Sequence, residues 1–270
     1  MAIKSRNLVL KCGEFTKMTN ELLSVFEEQE SILIKNFKQH PIFCKINQLS
    51  QSDFLKILIQ RRGLSFAITP VYELAIDTIL DQEVISTIKE ILHEEYPRDT
   101  NNNPLPSHRE LLMRDIMALG ASRDYILDQP LSQETIDSIF SVFKLLTNER
   151  HNQIGTIALV RFWGEVLVAE EYSCFWKRMQ NTLSENKENG KPQSQFYWYH
   201  MKHDQKKQSL DKQNPLDSGS HSERLAEHLK DLIKSEEDMR YCLRIEEESQ
   251  KMKLRFYDQF LGMLEINSSN

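Results

Sequence analysis

Apolar residues recur along this chain every three or four positions, and no stretch alternates in the way a half-buried strand requires. Residues 16–38 carry Leu22, Leu23, Phe26, Ile32, Ile34 and Phe37, a broad stripe that ends before Pro41. Ser52 is placed to cap a second helix bearing Phe54, Leu55, Leu58 and Ile59. Gly63 and Pro70 should bend or break it before it resumes through Val71, Leu74, Ala75, Ile79 and Leu80. A helix over 83–95 stops because Pro97 disfavours helical backbone at Tyr96. The turn-rich PRDTNNNPLP follows, and Ser107 with Glu110 forms a capping box for the next helix, which ends at Gly120. Further helices are expected over 132–148, capped by Ser132, over 154–183 and over 235–265. Residues 184–195 read as a polar linker, and 205–220 as a polar loop between FYWYHMKHD and HSERLAEHLKDLI.

This pattern predicts an all-α fold of about seven or eight helices in one domain spanning 1–270, and the composition agrees. Eight glycines and eight prolines in 270 residues, with 27% charged residues, suit long helices and short loops. A net charge of −6 gives no basic field for nucleic acid. No apolar run is long enough to span a membrane, and the N-terminus shows no signal-peptide pattern. Four scattered cysteines without a Cys-x-x-Cys pair suit packing thiols in a reduced cytoplasm.

The candidate chemistry lies in polar residues set among apolar ones. His200 and Asp204 stand four apart and share a helix face, just after the aromatic run 196–199. Glu95 closes one helix and His108 opens the next, so a short loop can bring them together. Glu165 sits between Phe162, Trp163, Val166 and Leu167, where a carboxylate is costly unless paired, protonated or metal-bound. His221 opens the helix after the polar loop. Three carboxylates and three imidazoles on separate helices suit an oxygen-activating iron site. Taken singly, each has a plainer reading, as a structural ion-pair partner, a first-turn residue or a surface i,i+4 pair. Glu90 and His93 form one Glu-x-x-His without a second copy, and His40, His151 and His203 read as surface residues. The charge run 234–248 reads as a solvated helix face.

The segments HEEYPRDTNNNPLPSHRELLMRDIMALG, RFWGEVLVAEE, FYWYHMKHD with the later HS, and RFYDQFLGML resemble the haem-oxygenase-like di-iron oxidases, the iron-containing redox enzymes. The likeness covers roughly residues 25–265 and rests on the order of these motifs. It implies a haem-oxygenase-like bundle in which Glu95, His108, Glu165, His200, Asp204 and His221 hold Fe(II), two ions in the usual complement, with O2 as co-substrate. It also implies oxidation or cleavage of a small acid or amine, with an external electron donor such as a ferredoxin; a homodimer is compatible with it. The chain departs from the family pattern after Asp204. Lys207 stands where the last histidine of a His-x3-Asp-x2-His triplet falls, and His221 follows an insertion. Two registers stay open, His200 and Asp204 with His221, or His221, Leu225 and His228. So do two other functions, a metal-free scaffold and a hydrolytic, thiaminase-like relative acting without a metal.

Overall fold

The computed structural model describes residues 21–149, 152–183, 194–203 and 220–266, which are helical and contain no β-sheet. Helix α1 occupies 21–38, followed by α2 (Pro41–Cys44), a single 3-10 turn, α3 (Gln51–Ser65), α4 (Ile68–Ile76) and α5 (Gln82–Glu95). Then come α6 (His108–Ala118), α7 (Arg123–Asp128), α8 (Gln133–Glu149), α9 (Gln153–Leu159) and α10 (Leu167–Leu183). The chain closes with α11 (Tyr197–His203), α12 (His221–Leu232), α13 (Glu236–Asp258) and α14 (Gly262–Ile266). The helices thus outnumber the expected seven or eight, because short ones such as α2, α7 and α14 have too few turns to show a period. The loop expected over 205–220 lies outside the described residues except for Ser220, as does His151.

Local chemistry explains most boundaries. The break in the 52–80 segment falls at Phe66 and Ala67, because Pro70 offers no N–H to the carbonyl four residues back and fits only the first turn of α4. Ser50, not Ser52, caps α3, accepting the Asp53 N–H at 3.1 Å. Gly120 ends α6 with φ of 107°, a conformation that side-chain-bearing residues rarely adopt. The helix expected over 235–265 turns after Asp258 and restarts at Gly262.

The helix expected over 154–183 is a spine on which the other elements pack. Every residue from Gly155 to Ala169 is buried, with one apolar cluster on each side. It is not continuous α-helix: Val160–Val166 opens into π geometry between α9 and α10. The hydroxyl of Tyr72, on α4, packs into this wide turn, 3.3 Å from the Val160 carbonyl.

The spine also buries charge. Arg161 donates to Glu30 of α1, to Glu246 of α13 at 2.9 Å, and through Nε to the Ser222 carbonyl of α12 at 3.2 Å. Glu246 was expected on a solvated face, but it is fully buried against this guanidinium. His40 corrects a second surface expectation: it is buried, 3.2 Å from Asp258, and its ring accepts the Ile42 N–H at the start of α2. On the other side of the spine, Glu171 accepts from Arg61 at 2.6 Å, from Lys253 at 3.3 Å and from the Tyr257 hydroxyl.

Lys253 makes this second network pH-dependent. Burial pulls its ammonium down to about 7, against the attraction of Glu171. An unfolded lysine titrates at about 10.4. Between these values the unfolded chain keeps a proton that the folded chain has released, so this group makes stability rise with pH across that window. The melting temperature of the wild type should therefore climb relative to that of Lys253→Met between pH 7 and about 9.5. Parallel curves for the two proteins would contradict the assignment.

Candidate functional site

A cavity opens beside the π turn, walled by α3, α4, α5, α6, α10, α11 and α12. Glu95, His108, Glu165, His200 and His221 all line it, and so does Glu94. Asp204, the sixth expected ligand, lies outside the described residues.

The corner between α5 and α6 sets the first pair. Asp99 gathers the connecting loop by accepting the N–H groups of Asn101 and Asn103, each at 2.8 Å, and the Leu105 N–H reaches back to the Pro97 carbonyl. The Ser107 capping box is formed, with the Glu110 carboxylate accepting the Ser107 N–H at 2.9 Å. His108 is thereby fixed as the first residue of α6, with Nδ1 3.2 Å from Glu95 Oε1. The same device occurs again at α12. Glu223 accepts the Ser220 N–H at 2.9 Å, and His221 is the first residue of the helix. Its Nε2 lies 3.5 Å from Glu94 Oε1 and its Nδ1 3.9 Å from Glu165 Oε2. Ser-His-x-Glu thus appears twice, at 107–110 and 220–223, a repeat that marks two imidazoles held in the same local way.

Helix α11 carries His200 and is held from α6. The buried Asp115 carboxylate, two turns beyond His108, accepts the Ser194 hydroxyl at 2.6 Å. It also accepts the N–H groups of Gln195, Phe196 and Tyr197 at 3.0–3.1 Å. These are the donors that the start of a helix leaves unpaired, here met by a side chain from a different helix. Ser194, expected in a polar linker, is buried for this reason. Burial pushes the Asp115 carboxyl up, while the hydroxyl and N–H donors draw it down. His200 Nδ1 donates to the Phe196 carbonyl at 2.8 Å, which places the ring's lone pair on Nε2. The His200 and His108 ring centres are 4.6 Å apart.

Glu165 sits in the π turn and accepts from the Tyr72 hydroxyl. Glycine is required at 164, since a Cβ there would lie 2.2 Å from that hydroxyl. Wide turns of this kind gather at functional sites. Neither Glu94, Tyr72 nor Asp115 was identifiable as a site residue from sequence. Glu94 adjoins an expected ligand, but the other two become neighbours of the site only through folding.

The other candidates separate from the cavity. His228 lies 3.8 Å from Asp81 and does not line it, and Leu225 is core, so the register through His228 finds no support. Glu90 pairs with Arg224 on the exposed side of α5. Of the aromatic run, Phe196 walls the cavity and Tyr199 is partly exposed. Cys174 and Cys242 are buried away from the cavity, with thiols pushed up by burial, Cys174 to about 11. Neither has the setting of a nucleophile.

The donor set, carboxylate oxygen with imidazole nitrogen, fits iron. The residues stand as Glu95–His108 and Glu94–His221–Glu165 groupings, and no three His, Cys, Asp or Glu among the described residues form a ready-made metal cluster.

No family model matches this chain, and no curated protein matches it. Solved structures do. A domain of unknown function with a heme oxygenase-like fold from Shewanella denitrificans OS217 superposes with a TM-score of 0.60 and 16% identity, over 92% of this chain and 95% of that one. A TenA family transcription regulator from Silicibacter sp. TM1040 superposes with a TM-score of 0.56 and 11% identity, over 89% and 96%. The fold is haem-oxygenase-like. In this haem-oxygenase-like bundle the cavity lies against the central spine, where the helix ends of α5, α6, α11 and α12 meet.

If Asp115 sets the position of α11, Asp115→Ala should leave the bundle folded at a cost of about 1–3 kcal/mol, since it strips partners from buried N–H groups. Amide hydrogen exchange over 194–203 should rise by at least tenfold while exchange in α13 stays slow. Unchanged protection over 194–203 would show that α11 is held by something else.

Proposed function

We propose that this chain is a non-haem iron-dependent oxidase acting on a small organic acid or amine. The observation that carries the reading is the meeting of Glu95, His108, Glu165, His200 and His221, from five separate elements, around one cavity. Glu95, His108 and His200 would form one half of the ligand set, and Glu165 and His221 the other, with Asp204 and Glu94 as additional carboxylates. Bound Fe(II) would supply O2 activation, with electrons from an external donor such as a ferredoxin. The chain's own residues prepare the site for this. The Tyr72 hydroxyl holds a proton against Glu165 and helps to steady a carboxylate buried in the spine. Ile68, Ile91, Leu112, Val168 and Phe196 give the cavity apolar walls that limit water around a bound substrate.

A second reading, a metal-free member of the fold, is favoured by the His–Glu pairing just described and the lack of a ready-made cluster among the described residues. Protein reconstituted anaerobically with Fe(II) separates the two. Iron bound after desalting should approach two ions per chain, and exposure to air should consume O2. Glu165→Gln and His200→Ala should each lower bound iron by at least half without lowering the melting temperature of the metal-free protein by more than a few degrees. Retention of no iron by the wild type, or wild-type iron in both variants, would favour the metal-free reading.

A further inference from the structure

Three well-packed guanidinium groups among the described residues have partners. Arg61 is met by Glu171 and Ser65, Arg161 by two carboxylates and a carbonyl, and Arg178 by the carbonyls of Ile46 and Leu49. Arg62 and Arg109, both partly buried, depart from this at one nitrogen each. Arg62 of α3 and Arg109 of α6 pack against the same ring, Phe66, with Cζ 4.6 and 5.1 Å from its centre. The Nε of each is buried without a hydrogen-bond partner, and no carboxylate among the described residues pairs with either. Arg62 is further disfavoured as a cation by burial and by the like charges of Arg109 and Arg123. Two like charges, partly desolvated and without a counter-ion, call for an anion.

Arg109 follows His108 directly and lines the cavity. We propose that Arg109, stacked on Phe66 and backed by Arg62, binds the carboxylate of the substrate, so that the cavity takes a carboxylic acid with an apolar body and excludes an amine. This deepens the proposed function by choosing between the two substrate classes, and it rests on that reading for the chemistry but not for the binding. A guanidinium presents paired N–H donors that match the two oxygens of a carboxylate, and the aromatic face beneath holds its plane. The remainder of such a ligand would meet Leu112, one turn on from Arg109, together with Ile68, Ile91 and Val168. An ammonium at the same place would meet like charge. The cavity's own carboxylates are directed elsewhere, Glu95 to His108, Glu94 to His221 and Glu165 to Tyr72, and none of these contacts involves Arg109.

The test is calorimetric titration of the metal-free full chain with octanoate, octylamine and octanol, which share a tail and differ in head group. Octanoate should bind at least tenfold more tightly than the other two. Arg109→Leu should weaken octanoate by at least tenfold and leave octanol unchanged, Arg109→Lys should recover part of the loss, and Arg62→Leu should give a smaller loss. The ligand-free Arg109→Leu protein should melt at or above the wild-type temperature, because an unpaired cation has been removed. No octanoate binding, equal binding of octylamine or octanol, or octanoate affinity unmoved by Arg109→Leu would overturn the proposal. Because no iron is present, a protein that selects octanoate yet never retains iron would fail the oxidase reading and keep this one.

Discussion

A helix buried on all sides can carry charge only if the surrounding elements satisfy it. The run from Gly155 to Ala169 meets this condition twice, at Arg161 and at Glu165. Arg161 draws in Glu30, Glu246 and the Ser222 carbonyl, and so ties α1, α13 and the start of α12 to the spine. Removing one member of such a set leaves an unpaired charge in the core, typically at about 3–5 kcal/mol. The bundle is therefore locked around these partners, and the side chains near them inherit their positions.

The same logic builds the cavity. Arg161 holds the α12 residue next to His221, and Asp115 holds the segment leading to His200. His221 and His200 thus each stand within a turn of a buried polar anchor rather than on a free loop. His108 and His221 receive additional definition from the two Ser-His-x-Glu caps, which fix the first helical residue in each case. Four helix ends converge, and the polar groups that helix ends leave over are used to place imidazoles and carboxylates around one space.

Much of the fold was legible because its punctuation is local. Pro97, the Ser107–Glu110 box and Gly120 each act within a few residues, and the structure keeps them. The candidate site was legible in part, since Glu95, His108, Glu165, His200 and His221 occur in an order and context that a family resemblance makes visible. What escaped depends on long-range contact. Asp115 reads as an ordinary helical aspartate until Ser194 arrives 79 residues later. Glu246 and His40 look solvated until Arg161 and Asp258 meet them. The π turn was also hidden, because one extra residue per turn barely alters an apolar stripe that is buried on every side. Arg62 and Arg109 are visible as charges, but the unbonded Nε of each is a property of the folded chain alone.

The central proposal is that the polar groups gathered against the spine bind metal and are not merely paired charges. The direct measurement is an anomalous difference map, recorded above the iron edge, from crystals grown anaerobically with Fe(II). The account predicts peaks inside the cavity, within bonding distance of Glu95, His108 and His200 on one side and of Glu165 and His221 on the other, with the His–Glu pairs opened to admit the metal. A fully formed cavity with no peak, and with His108 and His221 still paired to Glu95 and Glu94, would contradict it.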